Sequence, residues 1–301
     1  MKVLVTGGAG FIGSNLVDAL IEQNHSVRII DDLSGGKEEY VNKRAEFFKK
    51  DIRRIEDIKP LFEGINTVFH CAALPRIQPS IKDPISSHEN NVTGTLNVLI
   101  ASKEAGVKKF IYSASSSAYG NQETLPLCED MKPDPLNPYA MNKYFGEVMC
   151  SVFHKVYGLP TVALRYFNVY GPRQSSDGAY ATVIGIFLRE KKLGNPLPIV
   201  PNGEQRRAFT HVTDVVRANI NAMNSPNVGS GEIINIGSET SYSVNEIAKL
   251  IGGETMIIDE RLGEITETRA DLSRARMLIN WDQKVTFEEG VAELKRIHGI
   301  N

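Results

Sequence analysis

The stretch Lys2-Val-Leu-Val-Thr6-Gly7-Gly8-Ala9-Gly10-Phe11-Ile12-Gly13 joins an apolar run, a cluster of glycines and a helical pattern that continues to about Asn24. Lys2 to Thr6 reads as a buried strand. Glycines at 7, 10 and 13 let the backbone turn tightly, approach a pyrophosphate and pack the helix on the strand. Phe11 and Ile12 open that helix, whose N-terminal N–H groups then face the phosphates. A second strand, 27–30, ends at Asp31-Asp32, and Asp31 lies 21 residues beyond Gly10. An acid there accepts from a ribose 2′-hydroxyl and repels a 2′-phosphate, so the pattern predicts NAD rather than NADP. Glycines alone mark only a turn. Strand, helix and acid together mark a dinucleotide site.

Strand and helix patterns then alternate: a strand at 67–71, a helix across about 84–105, a strand at 109–113, a helix from Tyr139 and a strand at 161–164. This predicts an α/β fold, a doubly wound parallel (Rossmann) sheet covered on both faces. In such sheets ligands bind beyond the carboxyl ends of the strands. Asp51 and Ile52 follow the third strand, where adenine is expected. Cys71, Ala72 and Ala73 follow the fourth and permit close approach of a cofactor; Ser113, Ser115, Ser116 and Ser117 follow the fifth and offer hydroxyls. Residues 1–166 are expected to form the NAD-binding domain, with a helix at 212–224 returning to it. Residues 167–301 are expected to form a smaller, mixed α/β substrate domain, interleaved at the C-terminal side.

Tyr139-Ala-Met-Asn-Lys143 supplies a chemical pair. Asn137 can cap a helix here, and Pro138 suits its first position. Tyr139 and Lys143 then share a face, one turn apart. Phe145, Val148, Met149, Val152, Phe153 and Val156 form an apolar stripe in another direction, expected to bury the helix. A phenol titrates near ~10, so as a base near neutral pH it needs help of ~3 units, or ~4 kcal/mol. An ammonium one turn away helps with the right sign.

The 301 residues are 42% hydrophobic with a net charge of −2, which argues against nucleic acid or a membrane surface as the main partner. Cys71, Cys128 and Cys150 form no Cys-x-x-Cys pair, so no disulfide framework and no metal site are expected, and a reducing cytoplasm fits. Met1-Lys2 leads straight into the strand pattern with no signal peptide, and no apolar run has membrane length.

With Gly-x-x-Gly-x-x-Gly, Ser115 and Tyr139-x-x-x-Lys143 in this order, the chain resembles the extended short-chain dehydrogenase/reductase family. Within it, the chain is similar to NAD-dependent nucleotide-sugar 4-epimerases of the UDP-glucose and UDP-N-acetylglucosamine type. The resemblance implies that NAD takes hydride from the sugar 4-position and returns it to the other face. It implies Tyr139 as base, Lys143 lowering its pKa and holding the nicotinamide ribose, and Ser115 bonding the reacting hydroxyl or relaying its proton. It also implies cofactor contacts from Asn91 and Tyr166, and a homodimer paired through helices near 92–103 and 145–156. Relatives that dehydrate the sugar carry Asp-Glu after the Ser/Thr, and decarboxylases usually carry Glu. Here Ser116, Ser117 and Ala118 follow, which favours simple hydride return. The alternatives are a UDP-glucuronate 4-epimerase or other sugar-nucleotide oxidoreductase on the same scaffold, and a non-enzymatic NAD or nucleotide-sugar sensor.

In the second half the resemblance assigns a nucleotide-sugar site. Asn168 bonds the diphosphate or sugar; Arg207 and Arg261 clamp phosphate oxygens bidentately; Glu264 holds the uridine ribose. Thr268 stands seven residues past Arg261, where hexose-restricted relatives often carry Tyr, so room for an N-acetyl group is expected. Ala179 and Tyr180, in Gly178-Ala-Tyr-Ala181, resemble the acetyl-sugar branch. Val200 stands where many relatives stack an aromatic ring on uracil, and Pro75-Arg76 stands where some place Lys. Arg76 either replaces that pyrophosphate contact or belongs to a substrate loop. His70 reads as a satisfied core residue, and His211 with Asp214 as a turn into the 212–223 helix.

Overall fold

Apolar runs separated by helical patterns pair here as parallel strands. In the computed structural model, which describes residues 1–176, 182–259 and 267–300, seven strands share one sheet. They are β1 (Lys2–Thr6), β2 (Ser26–Asp31), β3 (Glu46–Lys49), β4 (Thr67–His70), β5 (Lys109–Ser115), β6 (Thr161–Tyr166) and β7 (Ser230–Ile236). Their order is 7-6-5-4-1-2-3, and every neighbouring pair is parallel. The doubly wound sheet expected from the sequence is therefore present. The winding direction reverses between β1 and β4, which opens a crevice at their carboxyl ends.

The longer helices are α1 (Phe11–Glu22), α2 (Gly94–Glu104), α3 (Pro138–Tyr157), α4 (Val183–Leu193), α5 (Val212–Asn224), α6 (Val244–Ile251), α7 (Ser273–Ile279) and α8 (Phe287–His298). Alternation along the strands divides their side chains between two cores. Val3, Val5, Ile29, Phe69, Ile111 and Leu164 pack with Leu16, Leu20 and Val215 from α1 and α5. Leu4, Ile30, Val68, Phe110 and Ala163 pack with Val98 and Leu99 from α2 and Cys150 and Phe153 from α3. A third core joins α4, α6 and α8 through Phe187, Ile247, Phe287 and Val291. After β6 the chain returns to the sheet twice, as α5 against α1 and as edge strand β7 against β6.

The expected burial of α3 needs correction. Its buried side is Ala140, Asn142, Lys143, Gly146, Glu147, Cys150 and Phe153. Phe145, Val148, Val152 and Val156 are 39%, 43%, 45% and 65% exposed. The reason lies in the contact with β5: a Cβ on Gly146 would fall 2.2 Å from the Tyr112 hydroxyl, so this glycine side, not the branched stripe, lies against the sheet. The helix expected over 84–105 runs without a break from Pro84 to Glu104, with a π-helical turn, Glu89–Thr93, between Pro84–His88 and α2.

Candidate active site

Gly7 has φ +72, and a Cβ there would lie 2.6 Å from the Ala72 nitrogen; a Cβ on Gly13 would lie 2.1 Å from the Gly7 carbonyl oxygen. The first contact draws the loop after β1 against the loop after β4, and the second seats α1 on the turn. No side chain caps α1 and no acid lies in its first turn, so its N-terminal dipole faces outward undiminished. A Cβ on Gly10 would meet only the Gly7 oxygen, at 3.2 Å. Asp31 closes this region: its Oδ2 accepts from Ala9 N (2.9 Å) and its Oδ1 from Leu33 N (2.8 Å). Burial raises its pKa against the lowering effect of those two bonds. A bare helix N-terminus beside a glycine turn and a carboxylate fits the diphosphate and ribose of a dinucleotide.

The other expected cofactor residues line the same strand ends. Asp32 accepts from Ser34 N at 2.8 Å. Asp51 accepts from Arg53 N and guanidinium, and Ile52 is buried under Gly94. Cys71 and Ala72 bond back to Thr6, through its carbonyl and its hydroxyl. Asn91, presented by the π-helical turn, accepts from Leu74 N (2.8 Å) and donates to Leu74 O (2.9 Å), fixing the loop that carries Ala73. Ser113 Oγ bonds Cys71 Sγ and the Tyr166 hydroxyl, both at 3.3 Å, and Tyr166 accepts from Asn219 Nδ2 at 2.8 Å.

Asn137 caps α3 by accepting from Ala140 N at 3.0 Å, with Pro138 at its first turn, as the sequence predicts. Tyr139 N donates to Ser80 Oγ at 3.0 Å, tying α3 to the short helix Ile77–Lys82 that follows Arg76. Ser115 ends β5 beside the Tyr139 phenol and favours its ionised form, while its Oγ accepts from Ser117 Oγ at 2.8 Å. Lys143 is 5% exposed, donates to Ser113 O at 2.8 Å and lies over the Tyr112 ring at 5.2 Å.

Burial raises the Tyr139 pKa, opposed by the Ser115 hydroxyl and by the charge of Arg76. Arg76 thus adds a cation that eases ionisation of the phenol, beside the Lys143 to which the sequence points. Burial also pulls Lys143 down to about 8, opposed by Cys71 and Glu147. His70 is fully buried between Thr6 Oγ1 (2.6 Å) and Thr95 Oγ1 (2.9 Å), and burial lowers it to about 3. It is a neutral core histidine. His211 caps α5, and Asp214 accepts from Lys284 N and Val285 N, so both hold turns together.

Three of the expected substrate residues converge. Thr268 pairs in register with Arg207, and its Oγ1 accepts from Asn168 Nδ2 at 3.3 Å. Asn168 also donates to Ala208 O at 2.8 Å. Val200 is buried beside the strand Leu197–Ile199. Ala179, Tyr180, Arg261 and Glu264 lie outside the described residues. The sequence reading missed Ser80, the Arg76–Tyr139 charge relation and Glu147. A carboxylate one turn beyond Lys143 was the readable signal for the last.

The family model of the NAD-dependent epimerase/dehydratase family matches residues 3–237. The chain belongs to that family. A UDP-glucose 4-epimerase from Mycolicibacterium smegmatis is 35% identical, covering 97% of each chain. The solved UDP-glucose 4-epimerase from Thermotoga maritima, with UDP-glucose, has a TM-score of 0.94 at 38% identity and covers 99% of each chain. The UDP-N-acetylglucosamine 4-epimerase from Methanobrevibacter ruminantium, in complex with UDP-N-acetylmuramic acid, has a TM-score of 0.92 at 37% identity, covering 97% of this chain and 96% of that one. Among the described residues no helix is long and apolar enough to cross a membrane.

Proposed function

We propose that this chain is an NAD-dependent 4-epimerase of UDP-hexoses, converting UDP-glucose and UDP-galactose through a transient 4-keto sugar and accepting the N-acetylated pair as well. The observation that carries the reading is the meeting of Ser115 and the Tyr139 phenol at the carboxyl end of β5, with Lys143 held on Ser113 O and the dinucleotide cradle at the same strand ends. NAD, when bound, supplies a hydride acceptor and donor at one sugar carbon. Tyr139, as phenolate, takes the proton of the sugar 4-hydroxyl, and Ser115 aligns that hydroxyl and shares the proton. Lys143 and Arg76 supply the positive field that makes the phenolate accessible. Ser116, Ser117 and Ala118 follow Ser115, so no carboxyl group at those positions can protonate a departing hydroxyl. A ketone formed there is reduced rather than dehydrated.

Gly7, Gly10, Phe11, Ile12, Gly13 and Asp31 would hold the adenosine diphosphate half of the cofactor, and Asn91 would act by fixing the Leu74 backbone. Asn168 and Arg207 would take the substrate diphosphate, joined by Arg261. The exposed row on α3 supports a homodimer, and the unpaired cysteines suit a reducing cytoplasm. The test is product analysis with UDP-glucose, UDP-N-acetylglucosamine and UDP-glucuronate, each without added NAD. The expected result is the matching galacto-sugar from the first two. Turnover of UDP-glucuronate alone would replace the substrate assignment, and no product even with added NAD would reject it. Thr268→Tyr should cut N-acetyl turnover while sparing UDP-glucose; unchanged N-acetyl turnover would remove Thr268 as a size gate.

A further inference from the structure

Lys143 sits in a pocket where burial disfavours its charge, yet its role needs that charge. The groups facing it come from three elements. His70 and Cys71, at the end of β4, are neutral at neutral pH, since burial lowers the imidazole and raises the thiol. Tyr112 and Ser113 of β5 offer a ring face and a carbonyl, and burial keeps the Tyr112 phenol protonated. On α3 itself, Tyr139 lies one turn before Lys143 and Glu147 one turn after. Among the described residues facing Lys143, Glu147 alone carries an opposite charge at neutral pH.

Glu147 is 1% exposed, and a buried carboxylate without a partner would take up a proton. Burial raises the Glu147 pKa, and Arg165 of β6 opposes it: its Nε and Nη2 donate to the two carboxylate oxygens at 2.8 and 2.6 Å. The guanidinium is itself 1% exposed and stacks on the Tyr119 ring at 4.4 Å. Such a bidentate pair fixes the carboxylate in place and favours its ionised form. A pair of opposite charges this deeply buried is a weak source of stability, and apolar residues of similar volume usually replace it at little cost. Its position, with the negative end one turn along the same buried side of α3 from Lys143, gives it another role.

We propose that Glu147 is a positioning residue for proton transfer at Tyr139, its carboxylate clamped by Arg165 and serving as the counter-ion of Lys143. The proposal rests on the Tyr139–Lys143 reading above. Without the counter-ion, Lys143 loses its proton at lower pH, and the field favouring the phenolate disappears on the alkaline side.

The experiment is the pH dependence of kcat for 4-epimerisation, in NAD-loaded wild-type protein and three variants. Glu147→Gln and the double variant Glu147→Met with Arg165→Met are expected to move the alkaline limb down by about one unit. Arg165→Lys keeps a cation on the carboxylate and is expected to leave that limb near the wild-type position. Should Glu147→Gln fail to fold because it strands Arg165, the double variant decides, since it buries no charge. A folded Glu147→Gln or double variant with the wild-type alkaline limb would overturn the proposal. A wild-type protein without epimerase activity would instead overturn the reading on which it rests.

Discussion

At the scale of single residues, the proposed chemistry is a contest between burial and charge around one phenol. Burial holds Tyr139 protonated, and Ser115 and Arg76 work against it. Removing Arg76's charge should raise the phenol pKa, so the acidic limb of kcat should move to higher pH in Arg76→Gln, by about one unit, and stay in place in Arg76→Lys. An unmoved limb in the glutamine variant would separate Arg76 from the proton transfer. Tyr139→Phe keeps the ring and loses the hydroxyl, so it should lower kcat by about 10²–10⁴-fold while leaving NAD bound. Retained activity in that variant would place the base elsewhere. The Tyr–Lys pair, the glycine turn and Asp31 were legible because each rests on local spacing. Glu147 and Arg165 were not: a charged residue on a helix or strand ordinarily reads as solvent-facing, and only the packing of α3 on β6 brings the two together.

At the scale of elements, helix α3 has two faces with different partners. One carries Lys143 and Glu147 into the sheet; the other leaves a row of apolar side chains uncovered by its own chain. Sequence periodicity displayed that row but gave no means of telling burial within a subunit from burial between copies. A Val148→Glu, Val152→Glu variant should sediment as a monomer while the wild type sediments as a dimer; a monomeric wild type would leave the row without that role. Strand β4 carries a different consequence. In the folded chain His70 titrates near 3, against 6.5 for an ordinary histidine. Below pH 6.5 the unfolded chain binds a proton that the folded chain does not, so His70's contribution is present above pH 6.5 and is lost as pH falls towards 3. The urea midpoint should therefore drop between neutral and mildly acidic pH, and drop less in His70→Gln. Equal drops in both proteins would mean that His70 is charged, or not enclosed as described, in solution.

At the scale of the whole molecule, seven parallel strands gather the candidate residues at one end of a sheet, and short strand pairings after β6 bring Asn168, Arg207 and Thr268 together. Alternating strand and helix patterns foretold the sheet, because parallel strands require crossovers of that length. The short strands Arg206–Arg207 and Glu267–Thr268 were not foretold, since two-residue pairings leave no periodic signal. They nonetheless place Thr268 beside Arg207 from 61 residues away. The central claim, that hydride leaves and returns to one carbon while Tyr139 handles the proton, is tested most directly by isotope. UDP-glucose carrying deuterium at C4 should give UDP-galactose that retains the deuterium at C4, in ordinary water and without added NAD. Product carrying solvent hydrogen at C4 would contradict the account.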